Sequence, residues 1–137
     1  LSPKMIEKAR EKNLYDTLET ADAVDYMNGR RAAFDAVVLA DVACYFGDLT
    51  PLLTAAANCL SDGGKLFLTV EENGGTQPFA LQPSGRYTHA EAALRQTLIQ
   101  SGFDAPAPSR AVLRTENALP VNGLVVCAAK KNTGKEN

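Results

Sequence analysis

The run from Phe34 to Ala40 is continuous, apolar and rich in β-branched residues, and it ends on Asp41. A strand half open to water would alternate apolar and polar residues. An unbroken run suits a strand covered on both faces, as in a parallel sheet. Lys65 to Glu71 is a second such run. Together these two segments restrict the chain to folds that layer helices over a sheet.

The remaining segments supply those helices. Ser2 is a good N-cap and Pro3 a good first helical residue, and Met5, Ile6 and Ala9 fall on one face. Asn13 is a suitable left-handed stop. Leu18 to Ala21 reads as a short strand and Asp22 to Met27 as a single helical turn, broken by Asn28-Gly29. Leu49, Leu52, Leu53, Ala56 and Leu60 keep helical spacing after a cap at Asp48 or Thr50, and a turn is expected at Ser61 to Gly64. Glu72 to Arg86, rich in Gly, Pro, Gln and Asn, reads as a long loop. Thr88 and Glu91 form a capping-box pattern for a helix with Leu94, Leu98 and Ile99 on one face, stopping at Gly102. Ala111 to Glu116 and Leu124 to Ala129 read as an antiparallel hairpin joined through Asn117 to Gly123. Strands alternating with helices imply an α/β fold with a mostly parallel sheet covered on both faces. Residues 1–130 form one domain on this reading, and 131–137 a polar tail.

Charge narrows the function. The 137 residues carry 14 Lys and Arg against 16 Asp and Glu, a formal net charge of −2. A nucleic-acid binder needs a basic stripe to displace phosphate counterions, and none is present. No apolar run approaches the roughly 20 residues that span a bilayer. No signal peptide is visible, so a cytoplasmic location is expected. The three cysteines, Cys44, Cys59 and Cys127, are widely spaced, without the pattern of a zinc site, and read as buried reduced thiols. No metal is expected.

In open α/β sheets, ligands sit beyond the carboxyl ends of the strands. Those ends are Ala21-Asp22, Ala40-Asp41 and Val70-Glu71. Asp41 is either a substrate base or a loop-start cap. Tyr45 and Phe46 follow it and either cover a ligand or pack. Arg86 suits an anionic substrate group, or is a surface charge. Tyr87 flanks it. His89 titrates near neutrality and is a candidate general base, or a solvated residue in the first turn of its helix. Glu71 and Glu72 line the substrate side or form a solvated pair.

Several of these segments resemble the class I S-adenosylmethionine-dependent methyltransferases. Leu1 to Arg10 is similar to the segment after that family's second strand. Phe34 to Asp41 resembles its fourth-strand motif, and Leu60 to Thr69 its L-x-p-G-G turn into the fifth strand, with Asp62 where Pro is common. Gly85 to His89 before a helix, and Ser101 to Phe103 after it, resemble the small-molecule subgroup, which includes methyltransferases attached to TPR arrays and quinone-biosynthesis-like enzymes.

The resemblance implies a Rossmann-like fold, S-adenosylmethionine as cofactor and a small-molecule substrate. Asp22 would accept the adenine amine, with helix N-capping as its alternative role. The Ala23 N–H would reach a ring nitrogen, and Asp41 and Val42 would line the cofactor pocket. Tyr45, Arg86 and Tyr87 would face the substrate. The family's glycine-rich cofactor loop and its ribose-binding acid have no counterpart in these residues. The family's first two strands would lie between the strand near Leu18 and the one at Phe34. The expectation is therefore a fragment, inactive alone, preceded by roughly 40 to 60 residues supplying a βαβ unit. An N-terminal domain or a homo-oligomer would be compatible partners. Alternatives are a non-catalytic methyltransferase-like interaction domain, or a flavodoxin-like or receiver domain, against which the terminal hairpin argues.

Overall fold

A computed structural model describes residues 2–15, 17–19 and 21–132. In chain order these form α1 (Pro3–Glu11), α2 (Ala23–Asn28), β1 (Phe34–Leu39), a 3-10 turn (Ala43–Tyr45), α3 (Thr50–Cys59), β2 (Leu60–Glu72), β3 (Phe79–Leu81), β4 (Tyr87–His89), α4 (Glu91–Gln100), β5 (Ser109–Glu116) and β6 (Leu119–Ala129).

The sheet is mixed and centred on β2. One edge of β2 pairs with β6, antiparallel from Lys65↔Ala129 to Glu71↔Gly123. The other edge pairs with β1, parallel up to Leu39↔Leu68, and beyond it with β4 at Glu71↔Thr88 and Glu72↔His89. Strand β4 thus takes over where β1 ends. It carries β3 as an antiparallel partner, while β5 closes the far side on β6. The other edge of β1 has no partner strand among the described residues.

Burial alternates along β2. Leu66, Leu68 and Val70 are buried, while Lys65 and Phe67 are exposed. Leu39, Leu124, Val126 and Ala128 share the buried face, packed with Leu52, Leu53 and Ala56 of α3 and Leu94 and Leu98 of α4. On the opposite face Val38 is 67% exposed, and Phe67, Val125 and Cys127 are exposed too. Among the described residues, helices therefore cover one face of the sheet and not both. The physical reason is that α1, the one helix outside the core layer, buries no residue. Cys127 lies on the open face, so only Cys44 and Cys59 are the buried thiols expected.

Local signals explain most of the elements. Ser2 Oγ accepts the Met5 N–H, Pro3 opens α1, and Asn13 adopts φ 51° after it. The Thr50 N–H bonds to Asp48 Oδ1 at 2.9 Å before α3. Gly102, at φ 103°, ends α4.

Other expectations are corrected. Leu18, Glu19 and Ala21 pair with no strand, because no neighbouring strand lies against them; Thr20 is outside the described residues. The expected turn at Ser61 to Gly64 is a bulge inside β2, where the register jumps from Phe34↔Leu60 to Ala36↔Lys65. The Glu72 to Arg86 loop contains β3. Thr88 lies in β4 and does not cap α4, whose N-cap is Ala90 without a side-chain bond. Ile99 is exposed. The hairpin turns at Asn117-Ala118, with φ of 50° and 64°, and Pro120, Asn122 and Gly123 are inside β6. Two consecutive left-handed residues suit the right-handed twist of the flanking strands.

Candidate functional site

The carboxyl ends of β1 and β2 converge on one pole of the molecule. Asp41 follows β1 at φ 56°, and its N–H bonds to Thr69 Oγ1 of β2 at 3.2 Å. That bond ties the two strand ends together and leaves the carboxylate free to face outward.

The carboxylate of Asp41 meets Arg114 of β5, with Nη1 3.3 Å from Oδ1. Arg114 also reaches Glu71 through Nη2 and Glu116 through Nε, the latter at 2.8 Å. Arg86 Nη1 approaches the same Glu116 oxygen at 2.8 Å. The Tyr45 side chain, followed by the Glu116 charge, holds the Arg86 guanidinium above its ordinary pKa. Burial opposes the Arg114 charge, but the bonds to Glu71 and Glu116 override it and hold that guanidinium above its ordinary value. Glu71 is only 8% exposed. A buried carboxylate needs such a partner, since desolvating an unpaired charge is costly.

Sequence reasoning brought Asp41, Tyr45 and Arg86 to this pole, and the structure joins them in one network. It missed Arg114 and Glu116. Their spacing of two on a strand puts both on one face, but nothing local shows that this face meets Glu71.

His89 is placed differently from expectation. It is not a solvated residue of a helix turn. It ends β4, is 2% exposed, and its Nε2 lies 3.4 Å from the Ala43 carbonyl. Burial pushes its pKa below the ordinary value, opposed by backbone bonds at Ala43 and Phe46 and by the Glu71 charge. A buried imidazole tied to the backbone fastens the 3-10 turn to β4, and it lines a small cavity of about 120 Å³ with Gly47, Pro78 and Phe79. Tyr87 packs edge-on to Phe79 at 5.9 Å between centroids. Both rings crowd Gly47, where a Cβ would lie 2.7 Å from Phe79 and 3.0 Å from Tyr87. The β3–β4 hairpin therefore seats directly on the loop after β1. Phe46 is half-buried against the core, as is Val42, and Glu72 pairs with Arg110. Cys44, buried under the network, has its thiol pKa raised by that burial.

The second half of the pole lies beside β1. A slot of about 330 Å³ runs between α1 and α2, lined by Ile6, Leu18, Ala21, Ala23, Tyr26, Met27 and Leu39 among others. Asp22 stands between two of its lining residues and caps α2, with Oδ1 accepting the Asp25 N–H at 3.0 Å. A larger groove of about 590 Å³ lies at the other pole, by Arg31, Asn58, Ser101 and Lys130. It is far from the carboxyl ends, and its lining sets Arg31, Lys130 and Lys131 against Asp62. Among the described residues no cluster of ligating side chains suits a metal, and no helix is long and apolar enough to cross a membrane.

A family model described as a methyltransferase domain matches residues 1–68. No curated protein matches the chain in sequence. Solved structures do. The 1,6-didemethyltoxoflavin-N1-methyltransferase of Burkholderia thailandensis, bound to 1,6-didemethyltoxoflavin and S-adenosylhomocysteine, superposes with a TM-score of 0.77 at 17% identity, over 96% of this chain and 59% of that one. A SAM-dependent methyltransferase from Methanosarcina mazei gives 0.72 at 15%, over 95% and 79%. The magnesium protoporphyrin IX methyltransferase of Synechocystis, with S-adenosylhomocysteine bound, gives 0.64 at 20%, over 93% and 60%. The chain thus spans under two thirds of the length of two of these three.

Proposed function

We propose that this chain, which has the Rossmann-like fold and the sequence signature of the class I S-adenosylmethionine-dependent methyltransferases, serves methyl transfer from S-adenosylmethionine to a small molecule. The reading is supported by one observation: a largely apolar slot beside the carboxyl end of β1, two of whose lining residues, Ala21 and Ala23, flank Asp22 in the chain. An adenine ring needs flat apolar walls and an acceptor for its amine. Ala21, Ala23, Tyr26 and Leu39 supply the walls. Asp22 has one oxygen engaged with the Asp25 N–H, and a carboxylate keeps capacity for a second donor. The N–H of Ala23, first in α2, has no partner within its helix and can serve a ring nitrogen.

S-adenosylmethionine supplies an electrophilic methyl group on a sulfonium, whose loss leaves a neutral thioether. The protein's task is then to align donor and acceptor and to exclude water. The Asp41–Arg114–Glu71 network forms the acceptor side, with Tyr45 and Arg86 at its margin. Val42 and Asp41 lie between the two halves of the pole. His89 serves by holding the loop from Ala43 to Phe46 in place. The free thiols fit a reducing, cytoplasmic setting.

Asp22 tests this reading because its two roles separate. Asp22→Ala removes cap and acceptor; Asp22→Ser keeps a capping oxygen but has no carboxylate. Calorimetry with S-adenosylhomocysteine is expected to show weaker binding for both. Only the alanine variant should also lose about 1 kcal/mol of stability. Unchanged affinity in the serine variant would remove Asp22 from the nucleoside site.

A further inference from the structure

We propose that the groove at the pole opposite the strand carboxyl ends is a separate binding site for a small phosphate monoester with a hydroxyl-bearing body, such as a sugar phosphate. The methyl-transfer reading does not use this groove, and the proposal does not rest on that reading.

At about 590 Å³ the groove has the size of a small-molecule site and exceeds the slot of about 330 Å³ beside β1. Its walls come from five places: the segment before β1, the last turns of α3, the start of β2, the end of α4 and the chain after β6. A site assembled this way is shaped by the fold and not by one loop.

Charge sets the sign of the ligand. Three cations, Arg31, Lys130 and Lys131, line the groove with one acid, Asp62. A second carboxylate, Asp35, comes close through Ser61, whose hydroxyl donates to it at 3.0 Å. Three cations against two acids leave one positive charge, in a chain whose formal net charge is −2. Lys130 is half-buried, and its ammonium donates to the Leu60 carbonyl. A carbonyl takes one of the three donors of an ammonium and none of its charge. Helix-end carbonyls nearby already have donors. Asn58 Nδ2 donates to the Met27 and Asn28 carbonyls at 3.2 and 3.3 Å, and the Ala32 and Ala33 N–H groups donate to the last two carbonyls of α3 at 2.8 Å. A phosphate monoester brings about two negative charges and three acceptor oxygens, which match cations from two segments of the chain.

A hydroxyl supplies the second observation. Ser101, the C-cap of α4, lines the groove, and its Oγ is buried with no hydrogen-bond partner among the described residues. Folded chains rarely leave a buried hydroxyl unpaired, because its desolvation is then uncompensated. The Ser101 hydroxyl turns about one bond, and an oxygen of a ligand in the groove gives it an acceptor. Thr54, Asn58 and Asn132 add a hydroxyl and two amides to the lining, while Ala32 and Ala57 add carbon surface. That mixture suits a sugar, which presents both hydroxyls and C–H faces.

Ribose 5-phosphate, ribose and inorganic phosphate are titrated separately at neutral pH into the isotope-labelled full chain, and the backbone amides of Ala32, Ser61, Ser101, Gly102 and Lys131 are followed by NMR. Ribose 5-phosphate is expected to shift them saturably and to bind at least about tenfold more tightly than either other probe. Arg31→Gln and Lys131→Gln, both at exposed positions, should each weaken it about threefold or more. Ser101→Ala should also weaken it while leaving the urea midpoint unchanged or higher, since the unpaired Oγ stabilises nothing in the free chain. Ribose or inorganic phosphate binding as tightly as ribose 5-phosphate, full affinity in both charge variants, or no shift at these amides would each overturn the proposal. A lower urea midpoint in Ser101→Ala would show that the hydroxyl already has a partner and would remove it from the site.

Discussion

His89 shows what burial does to a residue whose chemistry invites a catalytic role. Its imidazole is enclosed by β4, the 3-10 turn and the Phe79 ring, with the Ala43 carbonyl as partner. Water cannot solvate the charged form there, so the folded protein holds His89 neutral below its ordinary pKa of 6.5. The unfolded chain takes up the proton first as pH falls. Stability is thus fully present above 6.5 and declines with acidification below it. Urea unfolding at pH 7.5 and 5.5 should show this fall in the native chain and a smaller one in His89→Gln, which can keep a bond to Ala43. Equal slopes would mean that His89 is solvated after all. Asp48 does not interfere, because its carboxyl, held below 3.8 by the Thr50 N–H, acts in a lower window.

The same residue marks a limit of the sequence. Thr88 and Glu91 match a capping box, and on that pattern His89 belongs to a helix. In the fold Thr88 pairs with Ala80 and Glu71 across the sheet, and Glu91 bonds with Arg110. Long-range partners outcompeted a local motif. Asp22 and Asp48, whose partners lie two or three residues away, were legible. Arg114, whose partners lie 43 and 73 residues away, was not.

At the scale of elements, the β5–β6 hairpin turned earlier than its sequence indicated. Pro120 and Asn122-Gly123 look like turn residues, yet Asn117-Ala118 makes the turn. Pro120 is accommodated near the hairpin end opposite Thr115. Gly123 is needed inside β6 for another reason. A Cβ there would meet the Leu113 side chain at 2.3 Å and the Val70 carbonyl oxygen at 2.6 Å. The first can move and the second, being sheet backbone, cannot. Gly123→Ala is therefore expected to cost about 1–3 kcal/mol in urea unfolding. Adding Leu113→Ala should not restore it. Full rescue by that second change would show that side-chain crowding alone demands the glycine. Strand β2 follows the same logic of close approach at Gly64, where a Cβ would lie 2.9 Å from the Ser61 carbonyl.

For the whole molecule, the fold class was legible because alternating apolar runs and helical faces survive any tertiary detail. The number of covered faces was not. An apolar run such as Phe34 to Ala40 is compatible with two covered faces or one, and the packing of the described helices decides it: α3 and α4 cover one face, while α1 buries no residue. Adjacent residues of β1 can test the outcome. Leu39 faces the helices and Val38 the open side. Leu39→Ala should cost about 2–5 kcal/mol, whereas Val38→Lys should stay within about 0.5 kcal/mol of the native chain. Comparable losses at both positions would mean that the second face is covered. Half of the candidate site was similarly visible, because strand ends can be read from a sequence and the residues that cross between them cannot.

The central claim is that the pole formed by the carboxyl ends of β1 and β2 holds a nucleoside-bearing methyl donor. Titrating S-adenosylhomocysteine into the isotope-labelled chain while following its backbone amides tests this most directly. The account predicts saturable shifts at Ala23, Asp25, Asp41 and Val42, with Ser61, Ser101 and Lys131 at the other pole unmoved. A well-dispersed spectrum in which the first group stays still, or only the second responds, would contradict it.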